Sequence, residues 1–137
     1  MSQGKASDAT VIRVVTAVIA RAGRYLITQR RPNAVLPLLW EFPGGSVERD
    51  ESDHEALRRE VHYRLGVKIE VGQLIGFVSH PYERYTVDLR TYECSITSGD
   101  LVARNVHAFA WVASSDFDRY DFTPADEMSM SKLLGIG

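Results

Sequence analysis

A chain of 137 residues, 45% hydrophobic and 25% charged, has the makings of one ordinary globular domain with a single core. Its formal charge of −2 excludes a general pull toward nucleic acid or anionic membrane, and its single cysteine, Cys94, excludes an internal disulfide framework. The compartment expected from such cysteine usage is the cytoplasm.

Residues 1–10 are small and polar and read as a frayed tail, so the domain is expected over residues 11–137. No signal segment is apparent, and the apolar run Val14 to Ala20 is far too short to span a bilayer. Val11 to Arg21 is rich in Val and Ile and predicts a strand; Ala22-Gly23 predicts a turn, and Arg24 to Arg30 a returning strand. Pro32, Asn33 and Pro37 mark a loop, and Trp40 to Pro43 a short extended piece. Ser52 and Glu55 then stand in capping-box spacing ahead of Leu57, Val61 and Leu65, which recur every fourth residue, with Gly66 as the stop. This predicts a helix over about 53–65.

Lys68 to Ser79, Arg84 to Ser95 and His107 to Ala113 predict three further strands, with 100–105 as a connection. Cys94 falls in one of them, where a buried, inert thiol is expected. The stretch from Ala125 to Leu134 has helical composition, with Met128, Leu133 and Leu134 as candidate core residues. The basic residues number 16, of which only Lys5, Lys68 and Lys132 are lysine. Guanidinium groups suit bidentate phosphate contacts, although a compositional bias toward Arg explains the excess equally well.

The most specific signal is a set of residues at fixed intervals: Gly45, Glu51, Arg59-Glu60-Val61 and Gly66-Val67. Their spacing resembles the Nudix box, G-x5-E-x7-R-E-U-x-E-E-x-G-U with U aliphatic. The chain departs from it at the adjacent Glu-Glu pair, where Tyr63-Arg64 stands instead. Trp40-Glu41-Phe42-Pro43-Gly44-Gly45 and Ile27 to Arg31 extend the resemblance to the MutT-like branch, over roughly Val11 to Leu134. The resemblance implies a Nudix α/β/α sandwich with a mixed sheet, and hydrolysis of nucleoside triphosphates or related diphosphates with Mg2+ or Mn2+.

It further implies roles for individual residues. Glu60, Glu51 and Arg59 would be catalytic, with Gly45 and Glu60 at the metal. Arg30 and Arg31 would meet substrate phosphates, Phe42 would stack near the base, and Asp126 would read the base edge. Trp40 and Phe42 also read as plain core, and Asp126 as the N-cap of the last helix. His80 to Arg84 falls where relatives carry a substrate-facing loop.

Chemistry bears on the departure. Hard cations need several rigid oxygen ligands, and helix positions three and four apart share a face. Glu60, Tyr63 and Arg64 therefore lie together, and replacing two carboxylates by a phenol and a guanidinium moves the local charge from −2 to +1. Arg64 also stands four residues after Glu60, the favourable order for an ion pair. The swap predicts weak or absent metal binding and weak or lost hydrolysis. Two rescues remain open: Asp53, Glu48, Asp50 or Glu51 lend oxygens to one metal, or Arg64 contacts phosphate in the cation's place. No carboxylate precedes the late strand ending in Trp111, where many relatives have one; His107 would be a poor substitute. His54 and His62 are expected at the surface. The expected partner is a nucleotide-like small molecule, and a homodimer stays open. The alternatives to a hydrolase are a non-catalytic nucleotide- or modified-base-binding protein, or an interaction protein with a vestigial pocket.

Overall fold

β-branched residues dominate Val11–Arg21, and this stretch forms the long strand β1 around which the domain is organised. The computed structural model describes residues 10–134, with side chains described as far as Ser129. After β1 come β2 (Arg24–Gln29), β3 (Trp40–Glu41), β4 (Gly44–Ser46), the helix α1 (Asp53–Leu65), β5 (Lys68–Pro81), β6 (Thr86–Ser98) and β7 (Ala108–Val112). A 3-10 turn over Ser114–Arg119 leads to the helix α2 (Pro124–Leu134). The β1–β2 hairpin closes through Ala22 and Gly23 at φ 52° and 77°. Positive φ at both central residues matches the twist of the flanking strands.

β1 runs parallel to β6 from Val11 to Ile19 and antiparallel to β4 over Val14 to Thr16. Its far end pairs with β2, which in turn carries β3 and β7. β5 lies antiparallel on β6, so the sheet is mixed, in the order β3-β2-β1-β6-β5. Alternation along β1 then sorts the two faces. Val15, Ala17 and Ile19 pack with Leu57, Val61 and Leu65 of α1 in one core cluster. On the opposite face, Thr16 reaches Thr91 at 3.1 Å, Thr91 reaches Ser129 at 3.2 Å, and Ala125 of α2 packs against Val78 and Leu89. Helix, sheet and helix thus form the α/β/α sandwich expected.

Helix α1 has the predicted bounds, caps and buried stripe. β4 was not legible, because Gly-Gly-Ser reads as a turn; it exists because Gly44 has no side chain, and a Cβ there would collide with the Val15 carbonyl. Met128 is 43% exposed, contrary to its expected core position, and its sulfur lies 3.2 Å from His80 Nδ1. The side chains of Leu133 and Leu134, and residues 1–9 of the expected tail, lie outside those described. Cys94 is half-buried rather than fully enclosed, and burial pushes its thiol up to about 12, well short of a reactive thiolate.

Candidate functional site

Helix α1 is fixed at both ends, and this positions the box. Ser52 and Glu55 form the reciprocal capping box at 3.1 and 2.9 Å. At the other end Gly66 takes the left-handed conformation, φ 75°, with its N–H on the His62 carbonyl. The connection after β6 satisfies the carbonyls that remain: Val102 N–H donates to Leu65, Arg104 and Asn105 N–H to Arg64, and the Asn105 side chain to Tyr63. The backbone carrying Tyr63 and Arg64 is therefore held on two sides.

Four box side chains form an unbroken chain of opposite charges. Arg59 donates to both oxygens of Glu51, at 2.6 and 2.9 Å, to Glu60 Oε2 at 2.7 Å, and to the Ser46 carbonyl at 3.0 Å. Arg64 Nε donates to Glu60 Oε1 at 2.8 Å, the ion pair expected from their spacing. Hydrogen bonding from Arg59 holds the Glu51 carboxyl at about 2, and Glu51 in turn raises the Arg59 guanidinium above its ordinary value. Gly45 lies directly against this chain, because a Cβ there would fall 2.5 Å from Glu60 Oε1. The structure thus gathers Gly45, Glu51, Arg59, Glu60 and Arg64 at one place.

As arranged, these groups do not fit a cluster of divalent metals. Each Glu60 oxygen faces a guanidinium, and Glu51 is occupied by Arg59 and the Glu48 N–H. Tyr63 is 55% exposed. Among the described residues no three His, Cys, Asp or Glu side chains stand together so as to hold an ion. Asp53, one of the carboxylates that could lend an oxygen to a metal, is already engaged. It is buried against the sheet, bound by Arg13 at 2.5 Å, the Tyr92 hydroxyl at 2.7 Å and Arg90 at 3.4 Å. Burial pushes its carboxyl up, but Tyr92, Arg13 and Arg90 together outweigh burial and hold it below the usual range. Burial and the Asp53 charge push Tyr92 up to about 12. His54, His62 and His107 are exposed, and none joins the box.

Beside the box lies a cavity of about 350 Å³, bordered by Ser46 and walled by β1 and β6 residues such as Ile12, Val87 and Leu89. Its charged groups are Arg30, Glu41 and Asp126. Arg30 is committed internally, donating to both Glu41 oxygens at 3.2 Å and to the Val35 carbonyl at 2.6 Å. Asp126 accepts the Phe42 N–H at 3.0 Å and the Thr123 hydroxyl at 2.8 Å. Pro124 opens α2, so Thr123 occupies the cap position and Asp126 the third helical one, not the N-cap. Burial, then the nearby Glu41 charge, pushes Asp126 up to about 7; burial also raises Glu41, opposed by Arg30. Glu41 also feels both Glu60 and Arg64, which ties the cavity to the box.

The remaining predicted residues fall elsewhere. Arg31 is exposed, and its side chain has no ion-pair partner among the described residues. Phe42 is 2% exposed and packs with Phe117 and Phe122, facing a separate cavity of about 630 Å³ beside Cys94; its main chain, not its ring, meets Asp126. Successive residues of an extended segment point to opposite sides, so Glu41 enters the smaller cavity and Phe42 leaves it. Aromatic surface there comes instead from Tyr82 and Tyr85, stacked with centroids 5.3 Å apart. Glu41 was missed as a site residue, though it stands beside Phe42 in a segment already singled out; for Tyr85 no local pattern gave notice.

A NUDIX-domain family model matches residues 14–132. The chain is 34% identical to the CTP pyrophosphohydrolase of Escherichia coli K12 over 92% of its own length and 93% of that protein's. It is 33% identical to a putative 8-oxo-dGTP diphosphatase 2 of Mycobacterium tuberculosis, covering 82% and 81%. The crystal structure of a MutT NUDIX hydrolase from Burkholderia pseudomallei superposes with a TM-score of 0.81 at 25% identity, covering 90% and 98%. With the box residues gathered on the capped helix of a mixed-sheet sandwich, the chain belongs to the Nudix family, as a MutT-like member.

Proposed function

We propose that this protein binds a nucleoside triphosphate or related nucleotide in the cavity between Asp126 and the box, and that its hydrolysis is weak or lost. The observation carrying this reading is that Glu60, the one box glutamate left on that helix flank, has each oxygen paired to a guanidinium, Arg59 at 2.7 Å and Arg64 at 2.8 Å. Generating hydroxide from water at neutral pH requires a metal or a free base, and a carboxylate so engaged supplies neither. Arg59 and Glu51 then hold the box turn, while Asp126 offers a carboxyl edge to base N–H groups and Tyr85 an aromatic face. The relatives act, by name, on CTP and on 8-oxo-dGTP, which makes pyrimidine and oxidised purine triphosphates the first ligands to test.

The same pairing favours a second reading, binding with no turnover at all, as in a sensor or regulator. Pyrophosphate release from CTP and 8-oxo-dGTP, with Mg2+ and with Mn2+, tests both against calorimetric binding of the same nucleotides. The expected turnover is at least a hundredfold below the roughly 10 s−1 of a typical enzyme, with binding retained. Turnover at that ordinary rate would defeat the proposal.

A further inference from the structure

The Arg64 side chain is only 24% exposed, yet of its three nitrogens Nε alone is engaged, on Glu60. Nη1 and Nη2 have no hydrogen-bond partner among the described residues. The Glu60 carboxylate that holds Nε is itself pinned between Arg59 and the Gly45 backbone. A guanidinium so oriented presents two free N–H2 groups in a rigid fork, the geometry that matches a pair of phosphate oxygens. Ser46 borders the neighbouring cavity and accepts from Arg59, which shares Glu60 with Arg64, so the chain of charges that ends in the Arg64 fork starts at the cavity's edge.

Charge arithmetic points the same way. Glu51, Arg59, Glu60 and Arg64 sum to a formal charge of zero; carboxylates at positions 63 and 64 would make the same patch −3, since Glu51, Glu60 and the two new acids give −4 against Arg59 at +1. A patch at −3 repels a triphosphate unless dications intervene, whereas a neutral patch with a free fork does not.

Building on the nucleotide reading above, we propose that Arg64, steered by Glu60, is a phosphate anchor standing at the second position of the box's glutamate pair, so that nucleotide binding here needs no divalent cation and is opposed by one. Magnesium chelates the phosphate oxygens that the Arg64 fork would take, and it lowers the ligand's negative charge. In a metal-dependent site its effect has the opposite sign.

The test is calorimetry with CTP and with inorganic tripolyphosphate, a probe without a base, each in EDTA and in excess magnesium chloride. Wild type is expected to bind both in EDTA, with magnesium weakening each by about threefold or more. Arg64→Ala should lower affinity in EDTA at least about tenfold, the loss of one charge-assisted contact, and Arg64→Lys should recover part of it. Tyr63→Glu with Arg64→Glu should reverse the sign, making magnesium promote binding. Magnesium strengthening wild-type binding, or Arg64→Ala and Arg64→Lys binding as wild type does, overturns the anchor. If that happens while Asp126→Asn still weakens CTP but not tripolyphosphate, the nucleotide reading stands without it. No binding by wild type in any condition defeats both.

Discussion

Asp126 makes a sharp thermodynamic prediction. Its carboxyl is 4% exposed, and burial next to Glu41 raises it from near 4 in an unfolded chain to about 7. Between those values the Asp126 carboxyl binds more protons in the folded protein than in the unfolded one, so the stability it contributes is fully present below pH 4 and falls as pH rises toward 7. At 1.36 kcal/mol per unit, a rise of about three units corresponds to a loss of about 4 kcal/mol at most; sharing the proton with Glu41 brings the expected loss to about 2–4 kcal/mol. Glu51 and Asp53 shift downward, so their contributions are complete by about pH 5 and do not offset the fall measured above it.

Urea denaturation of wild type at pH 5 and pH 8.5 reads the slope. Asp126→Asn keeps an oxygen for the Phe42 N–H but cannot ionise. It should match wild type within about 1 kcal/mol at pH 5 and exceed it at pH 8.5. Equal wild-type stability at the two pH values, or an unchanged slope in Asp126→Asn, would refute a high native titration point for this carboxyl.

Two further substitutions probe the site's supports. Gly45→Ala drives a methyl group into the Glu60 carboxyl and should cost about 1–3 kcal/mol in urea denaturation, with weakened CTP binding; a neutral result means that Glu60 does not rest on the box turn. Asp53→Ala strands Arg13 and Arg90 and removes the Tyr92 partner, at an expected cost of about 2–3 kcal/mol near pH 7, the half-exposed arginines keeping it at the low end. Because the Asp53 carboxyl is held below its unfolded value, that deficit should shrink as pH falls toward 3, and a deficit that grows instead would contradict the pairing.

The helix and its neighbours were readable because local signals agreed. Ser52, Glu55, Gly66 and the Leu57/Val61/Leu65 stripe each specify the same thirteen residues, and the structure has the helix over Asp53–Leu65. The Glu60–Arg64 pair was equally visible, since four-residue spacing on a helix dictates contact. What sequence could not supply was direction across the sheet. Asp53 shares a flank with Glu60 by helical geometry, yet β1 and β6 present Arg13, Arg90 and Tyr92 to it, partners 37 to 40 residues away. Phe42 and Glu41 could not be assigned to opposite cavities until the pairing of β2 with β3 fixed the strand's orientation. The raised carboxyl of Asp126 depends on burial and on Glu41, 85 positions earlier in the chain.

A manganese titration of the nucleotide-free protein, followed by the electron paramagnetic resonance of the unbound ion, addresses the exchange of carboxylates for Arg64 most directly. With Glu60 engaged by two guanidinium groups, wild type should leave manganese free to millimolar concentration, while Tyr63→Glu with Arg64→Glu binds it at least tenfold more tightly. Micromolar binding of one or more manganese ions by wild type would contradict the account.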